Sequence, residues 1–263
     1  MTDPPARTNY FAPPTAAVRY ARGRHFFHPL VIERAREFLS LARPVGLALD
    51  VGCGTGLSAV ALKRIAARVV GVDASRAMVA RAPREPGISY VVARAERLPF
   101  GADAFELLTL SQVFHWLDRA AFFREARRVL RAGGWVVAYD DYMTGRMEGR
   151  DEFEVWFRES YKPKYPAPLR RWTSFDPDET AREGFRLVAH ERHPNTVRFT
   201  PAALADYLLS QSNVIAAVEG GTEDAAEVRA WMLDGLAPVF GDAADANFLF
   251  DAPVWFLQKS AGC

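Results

Sequence analysis

Apolar and polar positions divide the first half of the chain into short alternating segments. Apolar runs bounded by glycine predict buried strands, and apolar residues at helical spacing predict helices. In chain order, the pattern first predicts a helix from Pro29 to Leu41, a strand at 46–51, a helix at 57–67, a strand at 68–72 and a helix at 75–82. It then predicts strands at 88–93 and 105–110, a helix capped by Asp118 and ended by Gly133 and Gly134, and a strand at 135–139. Strands and helices that alternate through short links indicate a parallel sheet with helices on both faces.

The pattern differs at both ends of this region. Residues 1–16 contain four prolines and little periodicity, which predicts a loosely packed arm. Residues 141–183 are rich in aromatic residues, arginine and proline and have no clean period. Further strand-like runs lie at 185–193 and near the C-terminus, with predicted helices at 201–213 and 223–234 between them. Pro253, inside the C-terminal run, predicts an edge position or a bend for that strand. The predicted organisation is an arm and possible lid over 1–28, a Rossmann-like core over 29–140, a cap over 141–183 and a C-terminal completion of the sheet over 184–263.

Composition and charge narrow the class of protein. The chain has 263 residues, 49% hydrophobic and 25% charged, which is typical of a globular protein. Its 33 basic and 32 acidic residues give a net charge of +1, so no overall field favours nucleic acid or a membrane surface. Two cysteines support no disulfide framework, and neither a secretory signal nor a membrane-spanning run is visible. We therefore expect a cytoplasmic protein with no nucleic-acid or membrane partner.

The most informative segment is L-A-L-D-V-G-C-G-T-G, residues 47–56. A predicted strand leads through three alternating glycines into a helix, a turn in which backbone can approach a ligand closely. Asp73 ends the next strand, where a carboxylate can accept hydrogen bonds from ribose hydroxyls. A dinucleotide fingerprint would need glycine where Leu57 stands, and no G-K-[ST] follows, which excludes a phosphate-binding loop.

The G-x-G-x-G spacing, with an acidic residue two positions before the first glycine, resembles the class I S-adenosylmethionine-dependent methyltransferases, in particular the type 11 domain. A-R-A-E-R-L-P-F-G-A-D-A-F-E-L-L (93–108) and L-R-A-G-G-W-V-V-A (130–138) are similar to segments of that family. S-Q-V-F-H-W-L-D (111–118) resembles its small-molecule branch, which is related to trans-aconitate methyltransferase. The resemblance implies a Rossmann-like, seven-stranded α/β sheet with helices on both faces, an antiparallel strand at one side and a small cap inserted after strand 5.

The resemblance also implies roles for individual residues. Asp50 would anchor the methionine amino group of the cofactor, directly or through water, and Gly52, Gly54 and Gly56 would allow close backbone approach. Asp73 would hold the ribose hydroxyls, Ala74 would lie beside the adenine, Ala95 and Glu96 would flank its edge, and Ser111 would lie near the sulfonium. Many relatives carry aspartate where this chain has Arg94, so the contact to the adenine amino group stays open at this position, with Glu96 or a backbone carbonyl as the alternative partner. His115 is the candidate catalytic base, and no metal site is expected.

The expected reaction is methyl transfer from S-adenosylmethionine, with S-adenosylhomocysteine as product, to a carboxylate or hydroxyl of a small-molecule acceptor. The alternatives are a non-catalytic S-adenosylmethionine-binding regulatory protein and an NAD-dependent dehydrogenase, the latter disfavoured by Leu57. Both a monomer and a homodimer remain open.

Several aromatic and polar segments have two interpretations each. The basic and aromatic residues of 146–172 suggest a cap over an acidic or aromatic substrate, or a solvated helix pair; the interspersed acidic residues argue against a nucleic-acid surface. Gln211, Ser212 and Asn213 could cover the pocket or simply end a helix. Tyr10, Phe11, Tyr20 and Phe26 suggest a lid over the cofactor, whereas His25 and His28 taken singly are expected on the surface.

Overall fold

A single mixed sheet organises the computed structural model, which describes residues 9–168 and 174–260. Its strand order is β3-β2-β1-β4-β5-β8-β6, with β7 on the other edge of β8. The strands are β1 (Val45–Val51), β2 (Ala66–Asp73), β3 (Ile88–Val92), β4 (Phe105–Ser111), β5 (Leu130–Tyr139), β6 (Tyr142–Met147), β7 (Phe185–Phe199) and β8 (Ala246–Lys259). The expected class I arrangement is confirmed, with one strand added to the expected seven.

The first five strands are parallel, because each connection between sequential strands crosses one face of the sheet before the chain returns. In the register of the sheet, Val51 at the end of β1 lies opposite Val72 on one side and Leu110 on the other. The segments that follow these three strands therefore leave the sheet at the same edge. This register brings the glycine turn, Asp73 and Ser111 together.

The antiparallel part of the sheet is built on β8. Strand β7 pairs along one edge of β8 from Phe185, opposite Lys259, to Phe199, opposite Ala246. Two strands pair in succession along the other edge of β8. Strand β5 pairs with β8 up to Tyr139, opposite Val254, and β6 then begins with Tyr142, opposite Asp251. The additional strand is thus β6, which forms because the chain continues along β8 after β5 ends.

The expectation that Pro253 marks an edge or a bend is wrong. Pro253 lies inside β8, paired with Arg192 of β7, and its carbonyl accepts a hydrogen bond from the Asp140 N–H at 3.1 Å. The N–H and C=O of a residue in an antiparallel strand point to the same side, so the missing N–H of Pro253 faces the junction between β5 and β6. The interruption between those strands is what accommodates proline in the interior of the sheet.

The helices are α1 (Pro14–Gly23), α2 (His28–Phe38), α3 (Leu57–Leu62), α4 (Arg76–Val79), α5 (Arg119–Val129), α6 (Glu152–Trp156), α7 (Lys162–Lys164), α8 (Pro177–Arg182), α9 (Pro201–Leu209), α10 (Ser212–Glu219) and α11 (Ala225–Phe240). Helices α6 and α7 are joined by a π-helical turn, Phe157–Tyr161. Asp118 caps α5 as expected, its Oδ1 accepting the Ala121 N–H at 3.0 Å.

Several predicted helix boundaries were wrong. The helix expected over 57–67 stops at Leu62 because β2 begins at Ala66, and α4 has four residues. Helix α5 ends before Gly133 and Gly134, which lie in the irregular start of β5. The helix expected over 201–213 is two helices, and the one expected over 223–234 continues to Phe240.

Three buried clusters stabilise the fold. One packs α5 against the sheet and includes Phe122, Phe123 and Trp255; a second, with Ile32, Leu62 and Phe256, lies under α2 and α3. The third joins α6 and the π-helical turn to α9, α11 and the N-terminal half of β8. The segment after β5 is therefore held by a core of its own. Within the described ranges, no helix has the length and hydropathy needed to cross a bilayer.

Candidate functional site

A cavity of about 760 Å³ opens at the carboxyl edge of the parallel strands. Small-molecule sites are typically of about this size, roughly 300–1,000 Å³. One half is formed by the turns after β1, β2 and β4, and the other by the segment after β6, by β7 and β8 and by α9 and α10. Eight residues predicted for the site line it: Gly52, Gly54, Asp73, Ala74, Ala95, Glu96, Ser111 and His115.

The glycine turn depends on residues without a side chain. Gly52 and Gly54 have φ values of +70° and +53°, which L side chains rarely adopt. A Cβ on Gly52 would lie 2.4 Å from Val113 Cγ2, and one on Gly54 would lie 3.3 Å from Met78 Cε. Gly56, with φ +86°, does not line the cavity; its Cβ would lie 2.6 Å from the Tyr90 hydroxyl oxygen. Gly52 and Gly54 thus expose backbone to the cavity, whereas Gly56 permits packing behind the turn.

Two backbone groups hold the Asp73 carboxylate at the cavity wall. The Gly54 N–H donates to Oδ2 at 2.9 Å and the Ser75 N–H donates to Oδ1 at 2.7 Å. Desolvation raises the pKa of Asp73, while these two hydrogen bonds act in the opposite direction. Because a carboxylate oxygen has further lone pairs, Asp73 can still accept two hydroxyl groups from a ligand.

Asp50 lies behind this wall and does not line the cavity. Its carboxylate is fully buried and accepts hydrogen bonds from Ser58 Oγ at 2.5 Å and from Thr109 Oγ1 at 2.9 Å. Burial raises the pKa of Asp50 to about 7, although both hydroxyl groups lower it. Because its two carboxylate oxygens accept hydrogen bonds from Ser58 and Thr109, Asp50 stabilises the turn from inside the sheet.

The segment 93–96 forms another part of the wall beside Ala74. Ala95 is buried, and Glu96 Oε1 accepts the Asp118 N–H at 3.1 Å. Arg94 Nε lies 3.4 Å from Glu96 Oε2, with most of the Arg94 side chain exposed. Glu96 is therefore held between the start of α5 and the cavity.

The N-terminal arm contacts the turn after β2 and completes the same half of the cavity. Tyr10, Phe11 and Tyr20 line it, and the Phe11 carbonyl accepts the Ser75 hydroxyl at 2.7 Å. The Trp116 ring lies 5.9 Å from that of Tyr10, between ring centroids. Phe26, in contrast, is largely exposed and does not line the cavity.

Arg24, which was not among the predicted site residues, lines the cavity between the arm and β4. Its guanidinium donates to Gln112 Oε1 and to the Ser210 carbonyl, both at 3.2 Å. Its Nε is buried and has no hydrogen-bond partner among the described residues. One signal was available: Arg24 follows Tyr20, an aromatic residue already considered for the arm, by one helical turn.

His25 and His28 are not on the surface as expected. His25 is mostly buried, with Nε2 2.7 Å from Asp141 Oδ2. His28 is buried with Nδ1 3.1 Å from the Tyr139 hydroxyl, and burial lowers the pKa of His28 to about 3. Both side chains fix the end of the arm to the end of β5.

The second half of the cavity contains a group of aromatic side chains. Phe157, Tyr161 and Tyr165 line it from the segment after β6, Phe175 lines it from the loop before α8, and Trp255 lines it from β8. The three residues that were expected either to cover the pocket or to end a helix, Gln211, Ser212 and Asn213, all line it. Of the basic and aromatic residues noted in 146–172, Arg170, Arg171 and Trp172 lie outside the described residues.

His115 lies on the short 3₁₀ turn Phe114–Trp116, directly after β4, and lines the cavity between its two halves. Its ring is 4.9 Å from that of Trp116. Over residues 9–168 and 174–260, no three His, Cys, Asp or Glu side chains are grouped as metal ligands would be.

Comparison with known proteins agrees with this geometry. The family described as the methyltransferase domain matches residues 49–138. Uncharacterized methyltransferases of Mycobacterium tuberculosis and Mycobacterium bovis are 30% identical over 205 residues, which is 76% of this chain and 76% of theirs. A malonyl-[acyl-carrier protein] O-methyltransferase of Legionella pneumophila is 37% identical over 96 residues, 34% of each chain. A structure described as a type II methyltransferase of Anaeromyxobacter dehalogenans has a TM-score of 0.67 at 24% identity and covers 89% of this chain and 96% of its own.

The chain belongs to the class I S-adenosylmethionine-dependent methyltransferases. S-adenosylmethionine is the cofactor of this family.

Proposed function

We propose that this chain transfers the methyl group of S-adenosylmethionine to an oxygen atom of a small-molecule acceptor, either a carboxylate or a hydroxyl. The observation that carries the proposal is the single cavity that joins the glycine turn and Asp73 to a chamber under the segment after β6. Transfer requires cofactor and acceptor to meet in one space from which water is excluded. The O-methyltransferase of Legionella pneumophila, similar over part of the chain, supports oxygen as the methylated atom.

The residues present fit the cofactor. Asp73 is held with acceptor capacity left for two ribose hydroxyls, and Gly54 presents backbone without a side chain next to it. The buried Arg24 Nε, which has no partner in the described chain, offers a cation to the methionine carboxylate. Ala74, Ala95 and Glu96 would surround the adenine, and Ser111 would lie near the sulfonium. Asp50 acts through Ser58 and Thr109 rather than by direct contact with the amino group.

S-adenosylmethionine, when bound, supplies an electrophilic methyl group, so the protein mainly needs to orient the acceptor and exclude water. A carboxylate acceptor is already a nucleophile and requires no base. A hydroxyl acceptor must lose a proton, and His115 is the candidate to receive it on a ring nitrogen because it lines the cavity next to Ser111 and Trp116. The arm residues Tyr10, Phe11 and Tyr20 would cover the cofactor side.

The proposal is tested by calorimetric titration of the purified chain with S-adenosylhomocysteine, with NADH as control titrant. We expect binding of S-adenosylhomocysteine alone, weakened about tenfold or more in Asp73→Asn, since losing a charged hydrogen bond to a ligand costs about 1.5–3 kcal/mol. Asp242→Asn, which changes an exposed aspartate, is the matched control and should bind as the parent does. Release of S-adenosylhomocysteine from S-adenosylmethionine in the presence of small carboxylates or phenols then identifies acceptors. NADH binding without S-adenosylhomocysteine binding would refute the proposal.

A further inference from the structure

The acceptor half of the cavity is bounded by aromatic rings from two separate cores. The cap aromatics, Phe157, Tyr161 and Tyr165, belong to the cluster that packs against α9 and α11. The opposing aromatics, Phe175 in the loop before α8 and Trp255 in β8, belong to the cluster beneath α5. Because each set is anchored in a different buried cluster, the space between them is a chamber with two preformed aromatic walls.

The rings of both walls are held in place by their neighbours. Phe157 and Tyr161 stack across the π-helical turn, with centroids 5.1 Å apart and an interplanar angle of 11°. Gly145 makes room for this pair, since a Cβ there would lie 2.7 Å from Phe157 Cδ1. On the opposite wall, His190 stacks on Trp255 at 4.8 Å and 6°. Flat, rigid walls of this kind favour a flat ligand, because aromatic rings gain most from offset or edge-to-face contact with other rings.

The chamber is also lined by an exposed cation that has no carboxylate partner among residues 9–168 and 174–260. Lys162 lines the cavity, and its Nζ lies 5.0 Å from the centroid of the Phe157 ring. Within the described part of the chain, no carboxylate lies within 4.0 Å of Lys162 Nζ. Neighbouring cations differ: Lys164 Nζ is 3.0 Å from Glu223 Oε1, and Arg158 is 3.1 Å from Glu159 Oε1. An ammonium beside an aromatic wall is suited to bind an anionic group of a ligand.

Four carboxylates line the cavity, those of Asp73, Glu96, Asp140 and Asp141, and none of them lies within 4.0 Å of Lys162 Nζ. Glu96 is on the cofactor side, next to Arg94, and Asp141 is paired with His25 at the end of β5. An anionic group at Lys162 would therefore face the ammonium and the cap rather than these acids. Ser111 and His115, beside which the methyl group is transferred under the proposed function, line the same cavity as Lys162.

We propose that the acceptor is a hydroxyaryl acid: its ring lies between the cap aromatics and the opposing aromatics, its carboxylate or other anionic group binds Lys162, and its hydroxyl is methylated. This inference rests on the proposed function and specifies its substrate class. In the reaction a carbon–oxygen bond forms to the methyl carbon as the carbon–sulfur bond breaks, and the sulfur keeps the electron pair. The hydroxyl proton passes to His115, and the products are an aryl methyl ether and S-adenosylhomocysteine.

The test measures ligand binding to the chain saturated with S-adenosylhomocysteine. The probes are 4-hydroxybenzoate and 4-hydroxycinnamate, their neutral amides, and the saturated analogue 4-hydroxycyclohexanecarboxylate. The binding of each probe is measured by calorimetry and by quenching of tryptophan fluorescence. We expect the hydroxyaryl acids to bind about tenfold more tightly than the amides, because the amides lack the charge-assisted contact. We expect the same acids to bind about tenfold more tightly than the saturated acid, because its ring lacks the aromatic contacts.

The chain offers a matched pair of variants on α7. Lys162→Met should reduce the preference for acid over amide to about threefold or less, whereas Lys164→Met should leave it near tenfold. Lys164 does not line the cavity and carries the same charge. Binding of S-adenosylhomocysteine should be unchanged in both variants.

The possible outcomes separate the two proposals. If the parent chain binds S-adenosylhomocysteine but no hydroxyaryl acid, or binds acids and amides equally, the acceptor inference is overturned and the proposed function stands. Equal losses in Lys162→Met and Lys164→Met would also overturn the role of Lys162, and equal binding of the saturated acid would overturn that of the aromatic walls. If S-adenosylhomocysteine does not bind, the proposed function itself fails.

Discussion

The buried carboxylate of Asp50 makes the stability of this chain depend on pH in a way that can be calculated. The side chain is fully buried in the sheet, and its pKa is raised from 3.8 to about 7. In the unfolded chain Asp50 ionises near pH 3.8, so between these two values the unfolded state loses its proton while the native state keeps it. Rising pH therefore favours unfolding through this group, and the stability present at low pH is lost as pH approaches 7.

The magnitude follows from the size of the shift. At 1.36 kcal/mol per pKa unit, the whole effect is about 4 kcal/mol, of which about 3 kcal/mol falls between pH 4.5 and pH 8. Asp50→Asn cannot ionise and should not show this contribution. The Asn side chain can keep its contacts with Ser58 and Thr109, because either hydroxyl can donate or accept. From about pH 4.5 to about pH 8, the free energy of unfolding of the parent chain should therefore fall by about 3 kcal/mol more than that of the variant.

The assay is urea unfolding of the ligand-free chain, followed by tryptophan fluorescence, at both pH values. Asp242→Asn is the control, since that aspartate is exposed and its loss should leave the pH dependence of the parent chain unchanged. Thr109→Val provides a second variant: Thr109 lowers the pKa of Asp50, so its removal should move the loss of stability to higher pH. A parent and an Asp50→Asn chain whose stabilities differ by the same amount at both pH values would refute the reasoning.

Two further predictions concern the cavity. Deleting residues 1–12 removes Tyr10 and Phe11 but leaves α1 in place. The deletion should weaken S-adenosylhomocysteine binding, measured by calorimetry, about tenfold because aromatic contacts are lost. Unchanged affinity together with an unchanged melting temperature would exclude a role of the arm as a lid. His115→Ala should lower turnover of a phenolic acceptor about 100-fold or more while leaving S-adenosylhomocysteine affinity unchanged, and normal turnover in a steady-state assay would exclude His115 as the base.

Much of the parallel half of the fold was predictable because its signals are local. Buried parallel strands are continuous apolar runs, and the turn after β1 needs glycine at Gly52 and Gly54 whatever the rest of the chain does. The cap of α5 by Asp118 is equally local. Residue spacing alone therefore predicted the strands at the centre of the sheet and the edge of the sheet at which the cavity lies.

Features that depend on pairing between distant segments were not predictable in this way. The interior position of Pro253 requires the interruption between β5 and β6 on the neighbouring edge, which no local pattern reveals. The burial of His28 and the placement of Arg24 depend on how the arm packs against β4, β5 and α9. Helix ends such as Leu62 are decided by where the next strand begins to pair.

For the site, the sequence by itself determined the class of chemistry, because a glycine turn and an acidic residue after the next strand are close in the chain and are constrained by local geometry. Only the tertiary structure decided which of these groups line the cavity. It turns Asp50 towards Ser58 and Thr109 and brings Lys162 into the same cavity as Asp73. The physical reason is that a side chain's exposure and partners are set by long-range packing, which spacing along the chain does not encode.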